Sequence, residues 1–177
     1  MSANYTCHIW LPDGRMLVCN DTGDILVLES GGEYKFKLHE APSNGYRIEN
    51  IMTYSKGIVI SGENGTMLIY EKSDDIKNPY LLVAKLPHNN GSSIYDDSNI
   101  KRTGAFNPKL LNAMMKSRIK SMSMNSSENT LVFTTSNNQI MKAAINIERR
   151  CEDSKYEFLI YPFHSSTING LDVCLKR

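Results

Sequence analysis

Two stretches of the chain carry the same succession of apolar runs and polar turns. LVCNDTGDILVLE (17–29) and VISGENGTMLIYE (59–71) each place an apolar strand before a tight Asn/Asp/Gly turn. A second apolar strand follows and ends on a bulky residue and a glutamate. Gly23 and Gly65 hold the same place in the two copies, 42 residues apart (65 − 23). A weaker third copy, VFTTSNNQIMKAA (132–144), puts Asn138 there, 73 residues further on (138 − 65). A two-residue hairpin turn needs positive φ, which glycine adopts without steric cost and asparagine tolerates, so the three positions are read as one structural role.

Around these copies the pattern predicts four strands per unit. Residues 5–10 form a first strand, and Leu11-Pro12-Asp13-Gly14 turns the chain because Pro presets φ and Gly permits reversal. Residues 16–19 and 25–28 are continuously apolar, which predicts strands covered on both faces. Gly31-Gly32 breaks the next connection, and 34–38 alternates apolar residues with lysine as a half-exposed outer strand. The second unit repeats the order at 48–54, 58–61, 66–70 and 80–86, and the third at 119–124, 130–135, 140–147 and 157–161. Between them the period is lost in a polar stretch, read as an inserted loop at 88–117, within which 108–115 has the pattern of one or two helical turns. The chain thus divides into units at 1–40, 46–87 and 118–163, with 164–177 as the first strand of a further unit.

A repeat of this length made of four strands falls within the roughly 40–45 residues of a β-propeller blade. The fold class predicted is all-β, a partial propeller of three four-stranded antiparallel blades. A closed ring takes roughly 4–8 blades, so the chain is read as part of a longer propeller, marginally stable or self-associating when alone.

Composition is ordinary for a globular protein: 177 residues, 41% apolar and 22% charged. Lys and Arg number 20 against 19 Asp and Glu, a net charge of +1 that supplies no broad field for nucleic acid or an anionic membrane. No apolar run approaches the roughly 20 residues of a membrane helix, and the amino terminus lacks a basic-then-apolar signal, so the chain is read as soluble and intracellular. The four cysteines form no C-x-x-C pair and are read as reduced thiols buried in strands.

LPDGRMLVCNDTGDILVLE, with its Pro-Asp-Gly turn, resembles the core of a WD repeat. In that family a loop His, a Ser or Thr, a turn Asp and a Trp form a buried hydrogen-bonded network. Here the closing Trp-Asp is replaced by Leu28-Glu29, Tyr70-Glu71 and Ala143-Ala144. His39 keeps a suitable spacing to Tyr70, but Asn64 stands at the turn Asp position. The departures imply a degenerate network and blades that depend mainly on apolar packing. A narrower resemblance, carried by YTCHIW, DTGDILVLESG and FLIYPFHSSTINGLDVC (158–174), is to a WD-repeat family of the ciliary and flagellar axoneme. It implies a non-enzymatic scaffold that helps to seat inner-arm dyneins and regulatory complexes on doublet microtubules, with further blades on both sides, a coiled coil downstream and no cofactor.

The residues themselves offer little chemistry. Cys7, His8 and Cys19 are the one local cluster that suggests a thiol hydrolase or a metal site, yet adjacent strand residues point to opposite faces, so Cys7 and His8 are not expected to share a site. His39, His88 and His164 stand singly in predicted loops, without zinc-ligand spacing. As a loop residue ahead of a further blade, His164 is expected to be exposed or poorly satisfied, and Asp96-Asp97 reads as a solvated acidic turn. No phosphate-binding glycine loop, G-x-S-x-G or H-E-x-x-H is present. Lys101, Arg102, Lys109, Lys116, Arg118 and Lys120 make one stretch locally basic. With Tyr95, the first five of these are the candidate contacts to an acidic protein partner, and the scarcity of aromatics among them argues against nucleic acid. Gly23, Gly65, Asn138, His39 and His164 are assigned structural roles.

Overall fold

The computed structural model describes residues 3–38, 46–62, 65–86, 117–146, 148, 151 and 156–160. Their apolar runs form twelve strands in three antiparallel meanders, and no helix occurs among the described residues. The first sheet contains β1 (Tyr5–Trp10), β2 (Met16–Asn20), β3 (Ile25–Leu28) and β4 (Tyr34–Lys37), in that order. The second contains β5 (Ile48–Tyr54), β6 (Gly57–Gly62), β7 (Met67–Lys72) and β8 (Tyr80–Leu86). The third contains β9 (Ile119–Met124), β10 (Thr130–Thr135), β11 (Ile140–Ala144) and β12 (Tyr156–Ile160). The leading strands of the sheets are neighbours, β1 beside β5 and β5 beside β9, which is how blades are set around a propeller axis. The short helix expected at 108–115 and the strand expected after His164 lie outside the described residues.

Strand periodicity explains where the core sits. Side chains alternate between faces, so Ile58, Ile60, Leu68 and Tyr70 point to one side of the second sheet and Val59, Met67 and Ile69 to the other. The first set packs with Leu17, Cys19, Ile25 and Val27 of the first sheet, and the second with Ile119, Leu131, Phe133 and Met141 of the third. The second sheet is therefore the middle layer of two apolar interfaces. Two-sided burial, expected of 16–19 and 25–28, is found instead in this middle sheet, where β6 is buried throughout. It fails in the first sheet, where Met16, Val18, Leu26 and Leu28 remain half-buried because no described element covers their face.

The repeated turns also differ from the two-residue form expected. In the first sheet the Asn20 amide donates to the Asp24 carbonyl and the Gly23 amide to the Asn20 carbonyl. The same pair of bonds joins Gly62, Thr66 and Gly65, and again Thr135, Gln139 and Asn138. Each loop therefore holds three residues, the third in the left-handed region: φ is 90° at Gly23, 75° at Gly65 and 58° at Asn138. The left-handed third residue demands glycine or asparagine at one position, which looks the same in sequence as the demand of a two-residue turn.

Candidate interaction site

Opposed pairs across the first sheet build its uncovered face. Trp10 pairs with Met16, Met16 with Leu28 and Leu28 with Tyr34, a row running across all four strands. Beside it run His8, Val18, Leu26 and Lys37. Trp10 is 55% and Tyr34 63% exposed, so the row ends in an accessible aromatic at either edge. Apolar bodies with one polar tip are well suited to protein contacts.

Arg118, just ahead of β9, is the one candidate partner-binding residue that is described. Its Nη1 lies 3.9 Å from Oε1 of Glu49, an oxygen that Arg47 already contacts at 2.8 Å. Two guanidiniums thus share one carboxylate and leave a local positive excess, with the Arg118 side chain 57% exposed. Tyr95, Lys101, Arg102, Lys109 and Lys116 lie outside the described residues, as do His39, His88, His164 and Asp96-Asp97. A cleft opens between the first and second sheets, lined by Leu11, Pro12 and Pro79 together with Asp13, Arg15 and Lys72. Within it the Arg15 guanidinium donates to Asp13 at 2.6 Å, which lowers the Asp13 carboxyl below its ordinary range.

The Cys7, His8 and Cys19 cluster is divided by the pleat. Cys7 opposes Cys19 and packs on the core between the first two sheets, whereas His8 opposes Val18 on the other face. No thiol–imidazole dyad results. Cys7 and Cys19 are free thiols, and Cys151 lies in a turn rather than the strand expected of it. No group of three His, Cys, Asp or Glu side chains comes together among the described residues.

Polar contacts within and between the sheets left no trace in the sequence pattern. The Tyr156 hydroxyl of β12 donates to the Gly65 carbonyl at 2.9 Å, across 91 residues of chain. The Tyr46 hydroxyl donates to the Thr66 carbonyl at 3.0 Å and accepts from the Thr66 hydroxyl at 3.0 Å. Two tyrosines therefore grip the β6–β7 turn, and burial pushes the Tyr46 hydroxyl up to about 12. Elsewhere the Ser55 amide donates to Oε1 of Glu128 at 2.7 Å, and the Asn50 side-chain amide to the Ile119 carbonyl at 2.7 Å. Hydroxyl and carboxylate contacts to backbone thus join the sheets beside the apolar packing on which the blades were expected mainly to depend. Tyr156 lies one residue ahead of the strand expected at 157–161.

No protein-family model matches the chain. It is 32% identical to cilia- and flagella-associated protein 57 A of Tetrahymena thermophila, over 99% of this chain and 12% of that protein. It is 23% identical to cilia- and flagella-associated protein 57 of Mus musculus, over 99% of this chain and 16% of that protein. The chain therefore spans less than a fifth of the length of either relative. Among solved structures, the β-propeller domain of Myceliophteria thermophila Cps50 (Swd1) superposes with a TM-score of 0.53 at 10% identity, covering 80% of this chain and 40% of that one. At that identity the likeness concerns fold alone. The chain has the all-β fold of β-propeller blades, and its curated homologues are the cilia- and flagella-associated proteins 57.

Proposed function

We propose, from the kinship of this chain with segments of cilia- and flagella-associated protein 57, that it is a propeller segment of a non-enzymatic scaffold in the ciliary or flagellar axoneme. The observation that carries the reading is 32% identity sustained over 99% of the chain. In this reading the scaffold helps to seat inner-arm dyneins and regulatory complexes on doublet microtubules. Residues 1–40, 46–87 and 118–163 are its blades, 88–117 an insertion between them and 164–177 the start of another.

Two surfaces support a role in protein contacts. The row from Trp10 to Tyr34 offers apolar area with aromatic ends, and Arg118 adds exposed positive charge beside Glu49. Tyr95, Lys101, Arg102, Lys109 and Lys116 extend that basic stretch in sequence towards an acidic partner. A net charge of +1 disfavours nucleic acid, and no helix among the described residues is long and apolar enough to cross a membrane.

The test is affinity purification from ciliated cells, with and without residues 88–117. Recovery of axonemal dynein and doublet components that fall away with the deletion is the expected result. Recovery of a non-ciliary complex would replace the axonemal assignment with that of a general WD-repeat adaptor.

A further inference from the structure

The strand pairing brings two thiols together that lie twelve positions apart in sequence (19 − 7). Cys7 of β1 sits directly opposite Cys19 of β2, next to a bulge at Thr6 where the register shifts. Directly opposed residues of an antiparallel pair have Cα atoms about 4.5–5.5 Å apart, inside the span of roughly 4.4–6.8 Å that a disulfide bridges. The alternation of side chains puts both on the same face, in the core cluster between the first two sheets.

The two differ in access. Cys7 is half-buried and borders a groove formed with Tyr5, Thr6, His8, Met16 and Val18. Cys19 is 0% exposed, in the core with Leu17, Ile25 and Val27. Interaction with Cys19 lowers the Cys7 thiol below its ordinary range, and that interaction together with burial raises the Cys19 thiol, so thiolate is favoured at the more accessible position. An accessible nucleophile backed by a protected second thiol is the arrangement that stops oxidation at a reversible stage.

We propose that Cys7 and Cys19 form a redox-responsive pair that a peroxide converts into a cross-strand disulfide. The Cys7 thiolate attacks one peroxide oxygen, the O–O bond breaks, and the departing hydroxide takes up a proton to leave as water. Cys7 is then a sulfenic acid. The Cys19 sulfur attacks the Cys7 sulfur, the S–O bond breaks, and hydroxide leaves with the Cys19 proton as a second water. Two thiols and one peroxide thus give one disulfide and two waters, and an external dithiol reverses the change by exchange. Closure ties β1, which also presents His8 and Trp10, covalently to the strand that anchors it in the core.

The test treats the reduced chain with hydrogen peroxide, blocks remaining thiols with N-ethylmaleimide and maps tryptic peptides. Cleavage after Arg15 and Lys35 separates the two cysteines, so the disulfide appears as peptide 1–15 linked to peptide 16–35. That linked pair, two hydrogens lighter than its reduced components and released by dithiothreitol, is the expected product. It should form at least about tenfold faster than the buried Cys151 thiol is lost. Cys19→Ser should stop at a sulfenic acid on Cys7 that dimedone traps. Mapping of the unsubstituted protein decides the matter even if that variant does not fold. Over-oxidised Cys7 without the linked peptides, linkage of either residue to Cys151 or Cys174, or loss no faster than at Cys151 would each overturn the proposal.

Discussion

Replacing Tyr156 by phenylalanine removes one oxygen from the interface of the second and third sheets and leaves its packing in place. The ring lies edge-on to Phe133 with centroids 4.8 Å apart, a contact that phenylalanine keeps. What is lost is the 2.9 Å bond from the hydroxyl to the Gly65 carbonyl. A neutral hydrogen bond contributes about 0.5–1.5 kcal/mol net, and a buried acceptor left without its donor costs about 1–3 kcal/mol. Gly65 and Tyr156 are both buried, so the expected destabilisation is about 1–2 kcal/mol. With a urea dependence of about 1–3 kcal/mol per molar, the unfolding midpoint falls by roughly 0.3–2 M. Tyr34→Phe, at a side chain 63% exposed, is the control and should leave the midpoint unchanged. A Tyr156→Phe midpoint indistinguishable from that of the control, at equal urea dependence, would refute the claim that this bond joins the sheets.

Two further outcomes test the backbone approach and the tyrosine grip. A Cβ added at Gly57 would lie 1.9 Å from the Tyr70 carbonyl oxygen, a backbone atom that no rotamer change can move. Gly57→Ala should therefore destabilise by at least about 1–3 kcal/mol in urea unfolding, and an unchanged midpoint would show that β6 and β7 are not this close. Burial raises the Tyr46 hydroxyl from its ordinary 10 to about 12, against the opposing effect of its Thr66 and Gly62 hydrogen bonds. The folded state then binds more protons than the unfolded one across that interval, so stability is full below pH 10 and declines as pH rises towards 12. The difference in unfolding free energy between the parent and Tyr46→Phe should shrink over the same interval; a constant difference would contradict the assignment.

The local parts of the fold were legible because they depend on near neighbours in sequence. Strands β1, β3, β5, β8, β9 and β10 have the bounds that the apolar runs predict, and the three turns fall where Gly23, Gly65 and Asn138 marked them. Turn length was not legible, since both loop forms ask for the same residue at one place. Nor was coverage: Met16–Cys19 and Ile58–Ser61 read alike, and only the layer order makes the second run buried on both sides. The tie from Tyr156 to Gly65 spans 91 residues and leaves no periodic trace. The opposition of Cys7 and Cys19 continues the register that starts at Trp10 and Met16, so it is set by the loop joining β1 to β2, and the shift at Thr6 comes only beyond it.

The three turns share a backbone but not a means of support. At the first, the Asn20 side-chain oxygen accepts from the Thr22 amide at 3.1 Å and the Asp24 amide at 2.8 Å, so the loop is held from within. At the third, the Thr135 hydroxyl donates to the Gln139 side chain at 2.9 Å, again a local contact. The second has glycine at the position of Asn20, Gly62, which cannot offer such an acceptor, and a Cβ there would lie 2.5 Å from the Tyr46 ring. Glycine opens the space that lets Tyr46 reach Thr66, and Tyr156 closes the turn from the third sheet. Among the described residues, the middle turn is the one of the three that a neighbouring sheet contacts by a side-chain hydrogen bond. Separation of the second and third sheets would release its Gly65 contact, while the first and third turns would keep their internal hydrogen bonds.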